Sequence, residues 1–275
     1  LYYEPNSSKV FVNTDIKGGI AITYHDATRE FGAIKHFVVF EELKSVANKV
    51  EKISTERLTS IIYASESYRF TEQMHKEHPE AEVLLSKGHK YDFKTSVLEN
   101  LNNIVFFSQK PDDGEYIQIL GLVKAKRIYK WIKKQYVQAP NNLFAYKVFV
   151  PAANGSGALG EVLSTPLIGE PLIGEPLIGH TQTFISIGCF QTKREAENLL
   201  KYIKSKFCRV MLGILKITQH NPGPKWKYVP LQDFTQDSDI DWSKSIPEID
   251  LQLYKKYGLD EKEIQFIESH VKEMA

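Results

Sequence analysis

The sequence predicts an α+β fold, a mixed domain of short strands and packed helices with a small helical extension at its C-terminal end. Runs of β-branched and aromatic residues between turn residues predict the strands, and apolar residues three and four positions apart predict the helices. Of the 275 residues, 42% are hydrophobic, which is enough to bury one large core or two modest ones. No stretch approaches the roughly 18 apolar residues of a membrane span, so we expect no membrane partner.

The N-terminal part of the chain begins with predicted strands and continues with predicted helices. Residues 19–24 and 36–40 are β-branched or aromatic runs bounded by turn residues, which is typical of strands. From Glu41 the spacing becomes helical, because apolar side chains recur at i, i+3, i+4 and i+7: Leu43, Val46, Ala47 and Val50. Two further helices are expected over residues 55–64 and 67–75, before the break at Pro79.

A β-hairpin is predicted between residues 116 and 137. Its arms, residues 116–123 and 128–137, flank a basic turn at residues 124–127. In the second arm each face carries both apolar and basic side chains, so neither face is a plain core face. Two interpretations remain open. Alternating cations and aromatic rings suit contact with a sugar-phosphate backbone, and lysines on an edge strand also protect it against aggregation.

A glycine-rich loop and an unusual repeat follow the hairpin. A predicted strand at residues 147–150 leads into a loop at residues 151–158, where the absence of large side chains allows backbone to approach a ligand closely. The motif Pro-Leu-Ile-Gly then occurs three times, at residues 166–169, 171–174 and 176–179. Because a period of five suits neither a helix nor a strand, we interpret the repeat as a locally duplicated loop.

The remaining elements carry clear helix signals. A strand at residues 182–190 precedes a helix whose first turn is capped by Thr192 and Glu195, and another helical segment spans residues 207–217. After an acidic link at residues 235–246, two short helices are expected near residues 247–257 and 260–274. Gly258 should end the first of these, and Asp260 with Glu263 should cap the second.

Charge is strongly segregated although the formal net charge is only +1. Residues 116–160 contain seven basic residues and no acidic one, and residues 193–227 contain nine basic and two acidic residues. Residues 233–275 reverse the sign, with eleven acidic residues against five lysines. Such asymmetry is typical of a surface that binds a polyanion, although lysine-rich faces that are merely solvated would give the same counts.

Three groups of residues resemble a known family. The first is NTDIKGGI at residues 13–20. The second joins KVFV at residues 147–150 and NGSG at residues 154–157 with the Pro-Leu-Ile-Gly motif and TFISIG at residues 183–188. The third joins Thr218-Gln219 with the segments WKYVPLQDF at residues 226–234, LYKKYGL at residues 253–259 and IQFIE at residues 264–268. Together they resemble the C-terminal portion of adenine-specific DNA methyltransferases of restriction–modification systems, including those fused to an endonuclease.

The resemblance implies a division of the chain and a function. Residues 1–40 would be a remnant of the methyltransferase sheet, residues 41–110 a mainly helical segment, residues 111–234 a DNA target-recognition domain, and residues 235–275 a helical extension. The chain opens with LYYEPNSSKV and no initiator methionine, so we expect it to be a fragment. The expected function is sequence-specific recognition of double-stranded DNA, in the cytoplasm, beside a catalytic methyltransferase domain in cis.

The residues that would carry out the methyltransferase chemistry are not in this sequence. It has neither a glycine-rich cofactor turn nor an Asn-Pro-Pro-aromatic motif, and Asn221-Pro222-Gly223-Pro224 matches the latter only in composition. The triplet Glu42-Leu43-Lys44 matches the Asp/Glu-x-Lys half of a metal-dependent nuclease motif, but it lies on a predicted helix, which argues against a nuclease centre. No histidine pair has the spacing of a zinc site. Cys189 and Cys208 are expected to be reduced thiols. We therefore expect no catalytic residue, cofactor or metal in this chain, whereas the parent enzyme would use S-adenosylmethionine, with Mg²⁺ if it also cleaves DNA.

Candidate DNA-binding residues fall into two classes. Cations neutralise phosphates without reading sequence, and the candidates are Lys124, Lys126, Arg127, Lys130, Lys133, Lys134, Lys147, Lys216, Lys225 and Lys227. Polar side chains read base edges, and the candidates are Asn154, Ser156, Gln219, His220 and Asn221. The alternatives are a protein-docking module of a multi-subunit restriction–modification complex and an enzyme of unrecognised type.

Overall fold

A computed structural model describes residues 2–4, 6–14, 16, 19–30, 38–154, 158–160 and 164–274. Helices and small sheets are both present, so the fold is α+β as predicted. The chain forms two compact units, each assembled from separate stretches. The flanking unit comprises Leu1–Ser60, Asn154–Gly169 and Lys201–Ala275, and the central unit comprises Ile61–Ala153 and Glu170–Leu200.

The central unit contains three small sheets. In the first, β5 (Tyr116–Val123) lies between β6 (Lys126–Lys133), which is antiparallel to it, and β10 (Ile178–His180), which is parallel. The second sheet is antiparallel and has the order β3 (Ile62–Tyr63), β11 (Phe184–Phe190), β8 (Tyr146–Pro151), β9 (Leu172–Gly174). The third pairs β4 (Arg69–Phe70) with β7 (Val137–Gln138), and the helices of this unit are α2 (Glu72–Glu77) and α3 (Val97–Asn100).

The core of the central unit is rich in aromatic rings. Phe70 and Phe93 are essentially inaccessible to solvent, with ring centroids 4.4 Å apart, and Phe106 packs against both. Strand side chains from the hairpin complete the cluster, among them Ile117 and Ile132. The hairpin is therefore anchored in this close-packed core through Ile117 and Ile132, and Leu120 on the opposite face of β5 is buried against Phe149 and Phe184.

The flanking unit is mainly helical. Its helices are α1 (Glu41–Ile53), α5 (Lys206–Gly213), α6 (Ile246–Lys256) and α7 (Glu261–His270), and a two-stranded sheet pairs β1 (Tyr2–Glu4) with β2 (Ile20–Ile22). Helix α4 (Lys193–Lys204) begins in the central unit and ends in this one. Helix α5 contacts α1, α6 and α7, so it is the centre of the helical packing.

Two buried ionisable side chains fix the N-terminal half of α5. The Asp250 carboxylate accepts hydrogen bonds from the backbone N–H groups of Lys206 and Phe207, which open the helix, at 3.0 and 2.9 Å. Burial raises the pKa of Asp250 to about 6. Arg209 is also inaccessible to solvent, and its guanidinium donates to the carbonyls of Pro166 and Lys272. These bonds join α5 to segments that are distant in sequence.

Most of the strongly signalled helices form where the sequence predicts them. The four apolar residues that define α1 are its buried residues. Thr192 and Glu195 exchange the hydrogen bonds of a capping box at the start of α4, and Asp260 with Glu263 does the same for α7. Gly258 has the left-handed φ of a helix terminator. These signals are local, so they do not depend on how the rest of the chain packs.

The weaker predictions differ from the structure. Residues 55–64 form only a short 3-10 helix, Leu58–Ile61, instead of the expected longer helix, because the Leu58 N–H donates to the Val229 carbonyl and β3 begins at Ile62. The helix expected at residues 67–75 is instead β4 followed by α2, with Thr71 as the N-cap. Residues 36 and 37 of the strand predicted at 36–40 lie outside the described residues, and residues 38–40 form no strand.

The three copies of the Pro-Leu-Ile-Gly motif adopt different structures. Leu167 and Leu177 have left-handed φ values of 62° and 64°, whereas Leu172 lies in β9. The glycines of the second and third copies face aromatic rings. A Cβ at Gly174 would lie 2.5 Å from the Phe149 ring, and one at Gly179 would lie 2.7 Å from the Tyr68 ring. Close packing against rings thus requires glycine in both copies.

Replacing Leu167 and Leu177 by asparagine should have opposite effects on stability. Asn adopts the left-handed region more readily than Leu, so Leu177→Asn, at a side chain that is 43% exposed, should raise the free energy of unfolding by about 0.5–1 kcal/mol. Leu167 has the same backbone conformation but is inaccessible, so Leu167→Asn should lower it by about 2–4 kcal/mol. Urea unfolding of both variants measures the difference, and a loss of stability in both would contradict the strain at Leu177.

Candidate nucleic-acid interface

The β5–β6 hairpin projects its turn into solvent. The strands pair in continuous register from Tyr116 opposite Lys133 to Val123 opposite Lys126. Only Lys124 and Ala125 form the turn, with left-handed φ values of 48° and 60°. A two-residue turn with both φ values positive matches the right-handed twist of the strands. The turn is therefore shorter than predicted, and Lys126 and Arg127 belong to β6.

The two faces of β6 have different environments. Ile128 and Ile132 pack on the core of the central unit. Lys130 lies on the same face and donates from Nζ to the Leu98 carbonyl at 2.9 Å and to the Asn102 amide oxygen, and desolvation lowers its pKa. On the other face Tyr129 is 39% exposed. Lys130 thus supports the core side of the hairpin, and its ammonium group is bound by two oxygens of the same unit instead of facing a phosphate.

Three cations surround the tip of the hairpin, and we call them the tip cluster: Lys124, Lys126 and Arg127. All three are exposed. Lys124 and Lys126 form no ion pair with any carboxylate in the part of the chain that the structure describes. The Arg127 guanidinium donates to the Glu170 carbonyl, and its Cζ lies 5.8 Å from the centre of the Phe184 ring. The tip cluster therefore carries positive charge with little internal compensation.

The cations at the base of the hairpin have acidic partners. The Lys133 Nζ lies 2.8 Å from an Asp113 carboxylate oxygen, and the Lys134 Nζ lies 2.9 Å from a Glu115 carboxylate oxygen. These lysines lower the pKa of the two carboxyl groups, chiefly through the hydrogen bonds. Both carboxylates are more than 60% exposed, and water competes for exposed ion pairs. Such pairs can exchange an acidic partner for a phosphate at small cost.

The structure corrects the assignment of Lys147 and Lys216 to a DNA-binding surface. Lys147 is inaccessible in β8, and its Nζ donates to the carbonyls of Ala145 and Glu175, both at 3.0 Å. Burial lowers the pKa of Lys147 to about 7. Lys216 is also inaccessible and donates to the Thr218 carbonyl at 2.9 Å. A buried ammonium group that bonds to backbone carbonyls cannot contact a phosphate in this conformation.

A second group of candidates lies in the flanking unit, in the loop at residues 218–227. Gln219 and His220 are exposed, and the Gln219 carbonyl accepts a hydrogen bond of 3.1 Å from the Asn154 backbone N–H. Lys225 is partly exposed and Lys227 is exposed. The Asn154 backbone therefore lies beside the loop, but its side-chain Oδ1 is buried and has no hydrogen-bond partner among the described residues, so this oxygen does not face a base edge. Ser156 lies outside the described residues.

Asn221 is the other candidate that the structure corrects. It is inaccessible to solvent, and its carbonyl accepts a hydrogen bond of 3.2 Å from the Trp226 indole N–H. Neither polar atom of its side chain has a hydrogen-bond partner among the described residues. Asn221 holds the loop through its backbone and lies too deep to read a base edge.

A buried polar network in the central unit supports the loops around the hairpin. The Tyr68 hydroxyl donates to Asn142 Oδ1 at 3.2 Å, and Asn142 Nδ2 donates to Ser186 Oγ at 3.0 Å. Ser186 Oγ donates in turn to His180 Nε2 at 3.2 Å, and His180 Nδ1 donates to the Thr181 carbonyl at 2.9 Å. This order of donors requires neutral His180, and burial lowers its pKa to about 4.

Sequence reasoning missed Phe144 as a surface residue of this unit. The Phe144 side chain is 60% exposed, and its ring centre lies 5.6 Å from the Lys134 ammonium. It follows two buried residues, Asn142 and Leu143, on a short 3-10 turn spanning Asn141–Phe144. The apolar segment has no alternation that distinguishes its exposed residue from its buried ones, so no local signal marks Phe144.

Comparison with protein-family models, with curated proteins and with solved structures found no match in any of the three. Among the described residues, no group of three or more His, Cys, Asp or Glu side chains is arranged to hold a metal ion. The described helices include none that is long and apolar enough to cross a membrane. The observations that bear on function are therefore the exposed cations of the hairpin and of the loop at residues 218–227.

Acid should destabilise the central unit through His180. Its pKa is about 4 when folded, against an ordinary value of 6.5, so between these values protons bind the unfolded chain preferentially. Stability is therefore retained above pH 6.5 and lost as the pH falls toward 4. Between pH 7 and pH 5 the loss from this group should be about 2 kcal/mol.

Urea unfolding of the wild type and of His180→Gln at pH 7 and pH 5 measures this contribution. Gln keeps a donor and an acceptor but does not titrate, so the variant should lose about 2 kcal/mol less than the wild type over this interval. The same pH dependence in both proteins would show that His180 does not control it.

Proposed function

We propose that the chain recognises double-stranded DNA, as the target-recognition region of an adenine-specific methyltransferase of a restriction–modification system. The observation that carries the proposal is the tip cluster. It places three exposed cations at the tip of one hairpin, Lys124 in the turn and Lys126 and Arg127 at the start of β6, within residues 116–160, which contain no acidic residue. Clustered cations without acidic partners neutralise phosphates, which favours a polyanionic partner.

The proposed division of work assigns phosphate contacts and base contacts to different residues. The tip cluster, with Lys133 and Lys134 in a supporting role, binds phosphates and sets orientation. In the flanking unit Lys225 and Lys227 bind phosphates beside Gln219 and His220, whose polar side chains are exposed and able to reach base edges. Lys147, Lys216 and Asn221 take no part because they are buried.

The methyltransferase parentage rests on the three groups of residues that resemble that family: the first at 13–20, the second from 147 to 188 with the Pro-Leu-Ile-Gly motif, and the third at 218–219, 226–234, 253–259 and 264–268. In this proposal methyl transfer from S-adenosylmethionine takes place in a catalytic domain in cis. This chain recognises the DNA sequence at which the catalytic domain acts. A chain of this kind binds DNA without modifying it.

Removing the two unpaired lysines of the tip cluster should weaken DNA binding and its salt dependence together. A Lys124→Gln/Lys126→Gln double variant loses two phosphate contacts, so the slope of log K against log salt should fall in magnitude by about 1.8. Fluorescence anisotropy with a labelled 30-base-pair duplex over a series of salt concentrations measures the slope.

Lys255→Gln is the matched control, because Lys255 is an exposed lysine of the acidic C-terminal segment and loses the same charge. Its slope should equal that of the wild type. Equal slopes in the double variant and the wild type would remove the tip cluster from the interface. Absence of duplex binding by the wild type at 50 mM salt would favour a protein-docking module instead.

Gln219→Ala should reduce sequence discrimination and leave salt dependence unchanged. A base contact contributes about 1–3 kcal/mol of discrimination. The preferred duplex is first found by selection from a random library. The ratio of its affinity to that of a scrambled duplex should then fall by about 5- to 150-fold in the variant. Lys227→Gln provides the contrast, since loss of a phosphate contact weakens both duplexes alike. Undiminished discrimination by Gln219→Ala would exclude Gln219 as a base reader.

A further inference from the structure

The turn that carries the exposed ring of Phe144 is fixed by hydrogen bonds at its three preceding residues. The Tyr63 hydroxyl donates to the Asn141 side-chain oxygen at 2.7 Å, and Asn142 is part of the buried polar network. The Leu143 carbonyl accepts a hydrogen bond of 2.7 Å from the Leu177 N–H. Three successive residues of the turn are therefore fixed by side-chain or backbone bonds, and the fourth projects its ring.

Phe144 forms one wall of a groove of about 690 Å³ in the central unit. Val137, Ala139 and Leu143 provide apolar surface, and Lys133, Lys134 and Gln135 provide cations and an amide. This volume lies within the range of about 300–1,000 Å³ that accommodates small organic groups. The groove thus combines an aromatic wall, apolar surface, and two cations with their acidic partners Asp113 and Glu115. The ring and the cations together suit a nucleobase with its phosphate.

The groove lies at the base of the hairpin that carries the tip cluster, since Lys133 is the last residue of β6. Its two cations are matched by two carboxylates, so continuity with the proposed DNA-binding hairpin, and not net charge, favours a nucleic acid as its occupant. The acidic residues of the groove, Asp113 and Glu115, pair with Lys133 and Lys134 through exposed contacts that a phosphate can replace. A base stacked on Phe144 would then have its own phosphate beside two ammonium groups.

We propose that Phe144 stacks on an unstacked DNA base, with Lys133 and Lys134 binding the adjacent phosphates. This inference rests on the proposed function and adds a residue and a mode of contact to it. Insertion of an apolar ring at a base step unstacks the step and bends the duplex, and the gain in contact offsets the cost of unstacking. A site where the base is already unpaired should therefore bind more tightly than a fully paired one.

The test uses two labelled 30-base-pair duplexes of the same mixed sequence, one fully paired and one with a single bulged base. The wild-type chain should prefer the bulged duplex. Phe144→Ala should weaken binding to the bulged duplex by about 5- to 150-fold, the range for loss of one stacked base, without changing the salt slope. Phe144→Trp should restore the affinity to within about threefold, and quenching of its additional tryptophan emission by the bulged duplex should report stacking directly.

Val83→Ala is the control, because Val83 is an apolar side chain of the same unit that is 86% exposed and lies outside this groove. It should bind both duplexes as the wild type does. If the wild type binds duplex DNA but Phe144→Ala binds the bulged duplex equally well, the stacking role is overturned and the proposed function stands. If the wild type binds neither duplex, both fail, and a protein segment becomes the expected occupant of the groove.

Discussion

One chain of hydrogen bonds inside the central unit fixes much of what that unit presents to solvent. It runs from Tyr68 through Asn142 and Ser186 to His180, and each polar group in it finds a partner. Buried polar groups are costly unless paired, so the network specifies one arrangement of the segments that contribute to it. Those segments are the turn that carries Phe144, the strand β11, and the end of β10, and they are held together although they are distant in sequence.

Strand topology explains why cations on the same stretch of sequence have different environments. Lys147 comes from β8, which is an inner strand of its sheet, so its ammonium is turned inward onto backbone carbonyls. Lys124 and Lys126 come from the far end of a hairpin, beyond the core that anchors it. The difference is one of topology: the depth of a strand in the sheet decides whether its lysine can contact a polyanion.

The sequence predicts those features that depend on neighbours along the chain. The α+β class, the helix α1, the capping boxes of α4 and α7, and the β5–β6 hairpin are all confirmed, because their signals lie within a few residues. It does not predict the structure of residues 55–64, where a long-range bond from Leu58 to Val229 overrides the helical pattern. For the candidate site it identifies the exposed cations but cannot separate them from Lys216, or identify Phe144, since burial depends on the assembled fold.

The triplicated Pro-Leu-Ile-Gly segment makes strand register ambiguous in a way that one residue resolves. Sliding the chain by five residues would replace one copy by another with the same side chains, so pairing within the repeat cannot distinguish the second copy in β9 from the third in β10. His180 directly follows the third copy and no other. Because its imidazole is bonded to Ser186, a slipped chain would bring a glutamate to that buried position. His180 therefore determines which copy of the repeat occupies β10.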